Sequence, residues 1–142
     1  MITYLAHVCF TVSNLEKSVE FYCRGLGLNL AFDFVNQEGH RFGVYINVGG
    51  RNFIELFEGQ IKGPVEGGSF RHFCLEVDNI WDMVKELKAK NIQVSEIKLG
   101  SDKSYQAWLA DPDGNQIELH CYTPESKQTE WLKSSDREEA DD

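Results

Sequence analysis

The sequence predicts an α+β protein built from two tandem βαβββ modules, with mostly antiparallel strand pairing in a curved sheet. The first observation is an internal repeat, because residues 7–15 and 72–80 share His, Cys, Val and Asn at an offset of 65. The second is that Ile54-Glu55-Leu56 recurs as Ile117-Glu118-Leu119 at an offset of 63. The two landmarks keep their order and nearly their separation, 48 residues from position 7 to 55 and 46 from 72 to 118. A repeat of this length indicates a duplicated supersecondary unit.

The first module contains a strand, a helix and three more strands in sequence order. Ser13-Asn-Leu-Glu16 has the form of a capping box, which predicts the start of the helix. Apolar residues at 15, 19 and 22 follow helical spacing, and glycines at 25 and 27 predict its end. The pair Gly49-Gly50 is a hairpin signal between the last two strands. Alternating, β-forming segments predict strands at Tyr4–Val12, Leu30–Val35, Phe42–Val48 and Asn52–Glu58.

The second module repeats this order. Asp78 or Asn79 is expected to cap a helix with apolar residues at 80, 83, 84 and 87, and Asn91 to end it. Asp111-Pro-Asp-Gly114 predicts a tight turn, because proline fixes φ and glycine supplies a positive φ. Strands are predicted at Phe70–Val77, Gln93–Ile97, Tyr105–Ala110 and Gln116–Tyr122.

Length and charge limit the domain organisation. The modules, about 3–62 and 68–122, fit one domain over residues 1–122 of a 142-residue chain. Residues 123–142 hold seven acids and three bases, so we expect a solvated, mobile acidic tail with a short helix near Trp131 and Leu132. The net charge of −9 argues against binding along nucleic-acid phosphates.

The sequence also predicts a cytoplasmic protein that is not attached to a membrane. No segment approaches the roughly 18 consecutive apolar residues of a membrane helix, and the first ten residues lack the features of a signal peptide. The four cysteines have no C-x-x-C spacing and are expected to be reduced.

The repeated polar residues are the candidates for function. His7 and His72 lie early in each module's first predicted strand, and Glu55 and Glu118 lie in each module's last strand. A single histidine there could be a core imidazole, but a glutamate between Ile and Leu inside a strand is seldom buried unless it is paired or coordinated. A duplicated core would preserve apolar residues first, yet the polar positions match best. Two imidazoles and two carboxylates suit one divalent metal with two positions open for substrate oxygens.

These features, with Phe21-Tyr22-x-x-x-Leu26-Gly27-Leu28 and the turn at 111–114, resemble the vicinal oxygen chelate superfamily over about residues 3–122. The ligand order His, Glu, His, Glu is similar to the bacterial glyoxalase I (lactoylglutathione lyase) branch. The resemblance implies that the four residues named above bind one divalent ion (Ni, Co, Zn, Mn or Fe). It also implies that Glu118 is the leading catalytic base, with Glu55 its symmetry mate, for isomerising a small-molecule substrate such as a 2-oxoaldehyde–thiol hemithioacetal. It further implies a homodimer in which modules of two chains surround each metal.

Several neighbouring residues have two open interpretations. Cys9 and Cys74 share a strand face with the histidines, and we expect them to be small buried hydrophobes rather than nucleophiles. Glu76 is either a group that contacts substrate or a rim residue, and His120 either supports the site or is a solvated strand-end residue. Lys98, Lys103 and Tyr105 either close over an anionic substrate or belong to a solvated basic loop.

Other functions remain open on the same scaffold. Extradiol-type dioxygenases and thiol transferases that act on antibiotics typically use two His and one Glu, so Glu55 argues against them. An epimerase acting beside a thioester is closer, although that branch usually has Gln at the position of Glu55. A non-catalytic small-molecule-binding protein is the third alternative, and such relatives generally lack the ligand set.

The sequence departs from the glutathione-dependent members at two positions. Those members carry an Arg four residues after the first ligand and an Asn four residues after the next, and both hold the carboxylate of glutathione. Here the positions are Thr11 and Gly59. Threonine cannot replace the charge or the fork geometry of arginine, so glutathione is expected to be a poor carrier.

Overall fold

The computed structural model describes residues 1–61 and 68–140, which form two units of similar size. Unit 1 comprises Met1–Ser69 with Asp111–Gly114, and unit 2 comprises Phe70–Ala110 with the remaining C-terminal residues. Most of the predicted junction between the modules (62–67) and the end of the predicted tail (141–142) lie outside the described residues. The strands are β1 (His7–Val12), β2 (Asn29–Val35), β3 (Arg41–Gly49), β4 (Asn52–Glu58), β5 (Phe73–Glu76), β6 (Lys98–Leu99), β7 (Tyr105–Ala110) and β8 (Gln116–Cys121).

Each unit contains one four-stranded sheet with the same topology. The order is β1-β4-β3-β2 in unit 1 and β5-β8-β7-β6 in unit 2. The first strand of each unit pairs with the last in parallel, and the other neighbours are antiparallel. The predicted α+β fold with mostly antiparallel pairing is therefore confirmed, as two mixed sheets.

One face of each sheet is covered by the unit's helix, and the other face is open. In unit 1 the helix α1 (Leu15–Val19) continues as a π-helical segment to Gly25. It packs on strands whose inward side chains, including Ile54 and Leu56, are buried. In unit 2 the helix α2 (Ile80–Ala89) packs in the same way over β7 and β8. Because strand side chains alternate, Glu55 and Glu118 point to the open faces.

The start of α1 differs from the predicted capping box. The N-cap is Asn14, whose side chain accepts a hydrogen bond from the Lys17 amide at 2.9 Å. Ser13 instead donates its hydroxyl to Asp113, and Glu58 accepts from the Leu15 amide at 2.9 Å. The capping-box prediction was therefore wrong, because the serine pairs with a residue distant in sequence. In α2 the cap is Asn79, one of the two predicted candidates, and its side chain accepts hydrogen bonds from the amides at 81 and 82.

Three strand predictions need correction. Strand β1 begins at His7 rather than Tyr4, and β5 begins at Phe73, so His72 lies immediately before it. Its partner β8 begins only at Gln116, so little backbone is available to pair with residues before 73. Gln93–Ile97 is not a strand. The Ser95 hydroxyl accepts a hydrogen bond from the Trp108 amide at 2.9 Å, which interrupts the regular backbone pairing with β7. The pairing resumes at Lys98.

The C-terminal residues form a third helix. Helix α3 (Lys127–Ala140) includes the short helix predicted near Trp131 and Leu132, both of which are exposed. Its first turn is attached to the β6–β7 loop, because the Lys127 amide donates to the Asp102 carbonyl at 3.0 Å. The Ser104 and Ser126 hydroxyls are 2.9 Å apart and buried. Among the described helices, none is long and apolar enough to span a membrane.

Candidate functional site

A histidine and a glutamate meet on the open face of the unit 1 sheet. Strands β1 and β4 run parallel with Cys9 opposite Glu55, which brings His7 beside that glutamate. The His7 Nε2 atom lies 3.6 Å from Glu55 Oε2. Its Nδ1 atom shares a 2.8 Å hydrogen bond with the hydroxyl of Tyr45, which is opposite Glu55 in the β3–β4 ladder. The hydrogen bond to Tyr45 therefore orients the His7 ring so that Nε2 lies towards the Glu55 carboxylate.

Unit 2 carries the same pair at the repeat-equivalent positions. His72 Nε2 lies 3.1 Å from Glu118 Oε2. Trp108 is opposite Glu118 in the β7–β8 ladder, and its ring packs edge-on against His72 with 4.7 Å between centroids. Thus the four predicted ligand residues form two His–Glu pairs, one in each unit.

The exposure of these side chains suits ligand binding. The two glutamate side chains are 17% and 12% exposed, and the histidines 40% and 35%. A largely covered carboxylate that lies beside an imidazole keeps oxygen lone pairs available for a cation. Each pair offers one imidazole nitrogen and one carboxylate, which are donors that fit a divalent metal. In the part of the chain that the structure describes, no cluster of three or more His, Cys, Asp or Glu side chains could hold a metal.

The two cysteines beside the pairs are not buried, which corrects the expectation for Cys9 and Cys74. Partial desolvation, with the nearby Glu55 carboxylate, raises the pKa of Cys9 to about 11. Desolvation and the charge of Glu118 raise the pKa of Cys74 to about 12. Both are therefore thiols at neutral pH and poor nucleophiles, as expected.

Sequence reasoning missed the aromatic character of the open face of unit 1. Phe32 stacks on Tyr45 at 4.8 Å between centroids, and Phe34 contacts Phe57 at 5.1 Å. On the open face of this sheet, the side chains next to His7 and Glu55 on β3 and β2 are therefore mainly aromatic. A signal was available, because Tyr45 and Trp108 are both aromatic at the offset of 63. We call this surface the aromatic wall: Phe32, Phe34, Phe42, Tyr45, Phe53 and Phe57.

The corresponding part of unit 2 is polar. His120 is half-buried, and its Nε2 lies 3.2 Å from Asp102 Oδ2, which also accepts from Gln128 Nε2 at 2.6 Å. Although burial opposes it, these contacts and Ser104 lower the pKa of Asp102. Glu76 is opposite His120 in the β5–β8 ladder and is exposed. His120 is therefore a fixed side chain rather than a solvated strand end.

The two positions that depart from the glutathione-dependent pattern lie side by side in unit 1. A side-chain carbon built on Gly59 would be 2.9 Å from Thr11 Cγ2. The Gly59 amide donates to the carbonyl of Val12 at 3.0 Å. The two positions are therefore neighbours on the sheet, where the methyl and hydroxyl groups of Thr11 stand in place of a cationic side chain.

Comparison with known proteins agrees with this fold. The model of the Glyoxalase/Bleomycin resistance protein/Dioxygenase superfamily matches residues 4–119. Human "Methylmalonyl-CoA epimerase, mitochondrial" is 32% identical over 106 residues, which are 68% of this chain and 60% of the epimerase. A "Probable lactoylglutathione lyase" of Synechocystis sp. is 29% identical over 124 residues, 82% of this chain and 93% of that protein.

A solved structure shows the same architecture. TnmS3, described as an antibiotic binding protein from Streptomyces sp. CB03234, superposes with a TM-score of 0.70 at 26% identity, over 86% of this chain and 98% of that one. Members of the family are commonly enzymes and often use a divalent metal. The chain spans less than two thirds of the human epimerase. The family match covers most of the sequence and both His–Glu pairs, so the chain belongs to the Glyoxalase/Bleomycin resistance protein/Dioxygenase superfamily.

Proposed function

We propose that the protein is a metal-dependent isomerase or lyase of the glyoxalase I kind, acting on a vicinal-oxygen substrate such as a 2-oxoaldehyde–thiol hemithioacetal. The observation that carries the proposal is the pair of repeat-equivalent His–Glu contacts, at 3.6 Å in unit 1 and 3.1 Å in unit 2. A duplicated structural core has no need to keep titratable pairs at equivalent places, whereas a shared ligand set does.

In this proposal His7, Glu55, His72 and Glu118 together hold one divalent ion. Bound there, the ion would supply Lewis-acid stabilisation of negative charge on the substrate oxygens. Tyr45 orients His7 through Nδ1, which is how groups behind a ligand histidine commonly fix its direction. The Trp108 ring limits the movement of His72 from one side.

Glu118 is the proposed base that moves a proton between the two carbons of the substrate. A base must be ionised and close to the reacting carbon, and Glu118 is a largely covered carboxylate on the open face. The neighbouring thiol of Cys74 has a pKa of about 12, so it keeps its proton at neutral pH and cannot substitute for the carboxylate. Glu55 occupies the equivalent place in unit 1 and is the candidate for the reverse proton transfer.

A second candidate is epimerisation beside a thioester. The 32% identity to human and bovine methylmalonyl-CoA epimerases favours it. Both reactions remove a proton from a carbon next to a carbonyl group, so one site could serve either. The third candidate function is non-catalytic binding of a small molecule. The likeness to an antibiotic-binding protein favours this function.

Two measurements test the proposal. Metal analysis of the purified protein should find one divalent ion per four-ligand site, lost to a chelator, and His7→Ala or His72→Ala should each reduce it sharply. A panel of oxoaldehyde–thiol adducts and 2-methyl-branched acyl thioesters, followed by NMR in deuterated water, then separates isomerase from epimerase. Full metal content in both histidine variants would remove the ligand assignment. A metal-binding protein that exchanges no proton on any substrate would favour the binding function.

The family resemblance also leads us to propose a homodimer. If modules of two chains complete each metal site, co-expression of His7→Ala and His72→Ala should restore about a quarter of wild-type turnover, since half the dimers are mixed and each has one intact site. The two variants purified alone are the controls. A monomeric mass at micromolar concentration, with full metal content, would contradict the dimer.

A further inference from the structure

A cavity of about 510 Å³ lies in unit 2 between the start of α3 and the end of β8. Its volume is within the range of about 300–1,000 Å³ that is typical of small-molecule pockets. The family match ends at residue 119, so most of this cavity is formed by sequence outside that match. The described lining residues, which include no member of the His–Glu pairs, are Asp102, Tyr122, Lys127, Gln128, Trp131 and Leu132.

Hydrogen bonds hold the two sides of the cavity together. The Gln128 side-chain amide donates to Asp102 Oδ2 at 2.6 Å, which joins α3 to the β6–β7 loop. The Lys103 carbonyl of the same loop accepts from the Thr123 hydroxyl at 2.8 Å and from the Ser126 hydroxyl at 3.2 Å. Ser126 is fully buried. The start of α3 is therefore fixed to the loop, and the cavity exists before any ligand enters it.

Two aromatic side chains line the cavity from different elements. Tyr122 follows β8 on the face that also carries Glu118 and His120, and the centroid of its ring is 5.3 Å from that of the His120 ring. Trp131 lies in the second turn of α3 and is 66% exposed, so a ligand can reach its ring from solvent. The faces of tyrosine and tryptophan rings attract organic cations, including quaternary ammonium groups.

The charges around the cavity also favour a cation. Although burial opposes it, hydrogen bonds lower the pKa of Asp102, so this wall carries a negative charge at neutral pH. Burial, followed by the negative charge of Glu76, raises the pKa of Tyr122, which shows that the field at this ring is negative. With 23 acids against 14 bases, the whole chain attracts cations. Lys127 is the opposing charge in the lining, and it is exposed.

We propose that this cavity is a binding site for a small organic cation, an alkylammonium whose charged head contacts the Tyr122 and Trp131 rings near Asp102. Leu132 packs against the alkyl stem, and Lys127 limits the affinity by repulsion. The site does not depend on the proposed reaction, because it uses neither the metal ligands nor the base. A neutral or anionic molecule of the same shape lacks the attraction to the rings and to Asp102.

NMR titration of the isotope-labelled full-length protein tests this site, with the Gln128 side-chain amide reporting affinity and the three tryptophan indoles reporting location. The ligands share a hexyl stem: hexyltrimethylammonium is cationic, 1-hexanol is neutral and hexanoate is anionic. The cation should bind about five-fold or more tightly than the other two, since only it can make a cation–π contact. It should shift the Trp131 indole more than those of Trp81 and Trp108. Equal affinities of the three ligands, no binding of the cation, or a larger shift at either other indole would overturn the proposal.

Substitution of the tryptophan separates the ring from general apolar contact. Trp131→Leu should weaken binding of hexyltrimethylammonium about five-fold or more, whereas Trp131→Phe, which keeps a ring, should retain most of the affinity. Trp81→Leu is the matched control, because Trp81 is also an exposed helical tryptophan and lies outside the described lining of the cavity. Equal affinities of the Trp131→Leu and Trp81→Leu variants would refute the site.

Substitution of a lysine tests the sign of the ligand's charge. Lys127→Met removes the opposing cation and should strengthen binding of hexyltrimethylammonium about two-fold. Lys133→Met is the control, because this exposed lysine of α3 has the same charge and lies outside the described lining. Weaker binding in Lys127→Met, or an effect equal to that of Lys133→Met, would contradict a cationic ligand at this place.

Discussion

The open faces of the two sheets share a His–Glu pair and differ in almost everything around it. In unit 1 the sheet face beside Glu55 carries the aromatic wall. In unit 2 the face beside Glu118 carries Trp108 and a polar region that includes His120, Asp102 and Gln106. Tyr45 and Trp108 occupy equivalent ladder positions, yet Tyr45 forms a hydrogen bond with its histidine and Trp108 packs a ring against its own. The positions of the His–Glu pairs are the same in the two units, while the surfaces around them differ. In our proposal this difference corresponds to a division of labour, with apolar contact in unit 1 and polar contact and proton transfer in unit 2.

The largest expected effect is on turnover, and it should be unequal between the units. Glu118→Gln should lower kcat by about 10²–10⁴-fold, because an amide can coordinate weakly but cannot accept a proton. Glu55→Gln should lose less, since in our proposal its charge supports the metal rather than the first proton transfer. Steady-state kinetics at matched metal occupancy measures both. Equal, mild losses would remove the base role from either glutamate and with it the division of labour.

The second effect concerns the group behind each histidine. Tyr45→Phe removes the hydrogen bond to His7 Nδ1 and should weaken metal affinity by about 10–100-fold. Trp108→Phe keeps an aromatic ring beside His72 and should change the affinity only a few-fold. Competition with a chelating dye measures the dissociation constant of the metal for each variant. If the two variants lose equal affinity, ring contact rather than the hydrogen bond orients the histidines.

Much of this site could be predicted from the sequence, because residue types that suit ligands and strand alternation are local signals. The offset repeats identified all four members of the His–Glu pairs and the strands β4 and β8. The failures depended on contacts distant in sequence. Ser13 pairs with Asp113 instead of capping its own helix, and the Ser95 hydroxyl replaces a ladder bond of Trp108. The pairing of His120 with Asp102 also joins two segments that no sequence period connects.

The third effect tests the carrier. Thr11 and Gly59 lie together in unit 1 and provide no cation, so the glutathione–methylglyoxal adduct should show a KM about ten-fold or more above that of a preferred carrier. Thr11→Arg should lower that KM, while Thr11→Gln, of similar length and without charge, is the control. A KM for the glutathione adduct that equals the best carrier's, unchanged in Thr11→Arg, would contradict the prediction.

The last expected effect is on stability, and it concerns how each helix is attached to its unit. Tyr22, at the π-helical end of the unit 1 helix, is buried and donates its hydroxyl to Asp111 Oδ2 at 2.8 Å, in the turn that contains Gly114 at φ +85°. Burial and the Asp111 charge hold the pKa of Tyr22 well above its usual range, so the phenol stays protonated and donates. The repeat-equivalent residue of α2 is Leu87, which is fully buried without any hydroxyl.

Tyr22→Phe makes unit 1 resemble unit 2 at this position while keeping the ring that fills the core. It should lower the free energy of unfolding by about 1–3 kcal/mol, because a buried carboxylate oxygen loses this donor. Urea unfolding of the single variants and of Tyr22→Phe with Asp111→Asn gives the coupling energy between the two groups. Conservative exchange of Leu87 to Met should cost less than about 1.5 kcal/mol, since volume is nearly conserved and no polar partner is left behind. If Tyr22→Phe lowers the free energy of unfolding no more than Leu87→Met does, packing alone attaches both helices. The hydroxyl of Tyr22 then does not stabilise the contact between the helix and the turn.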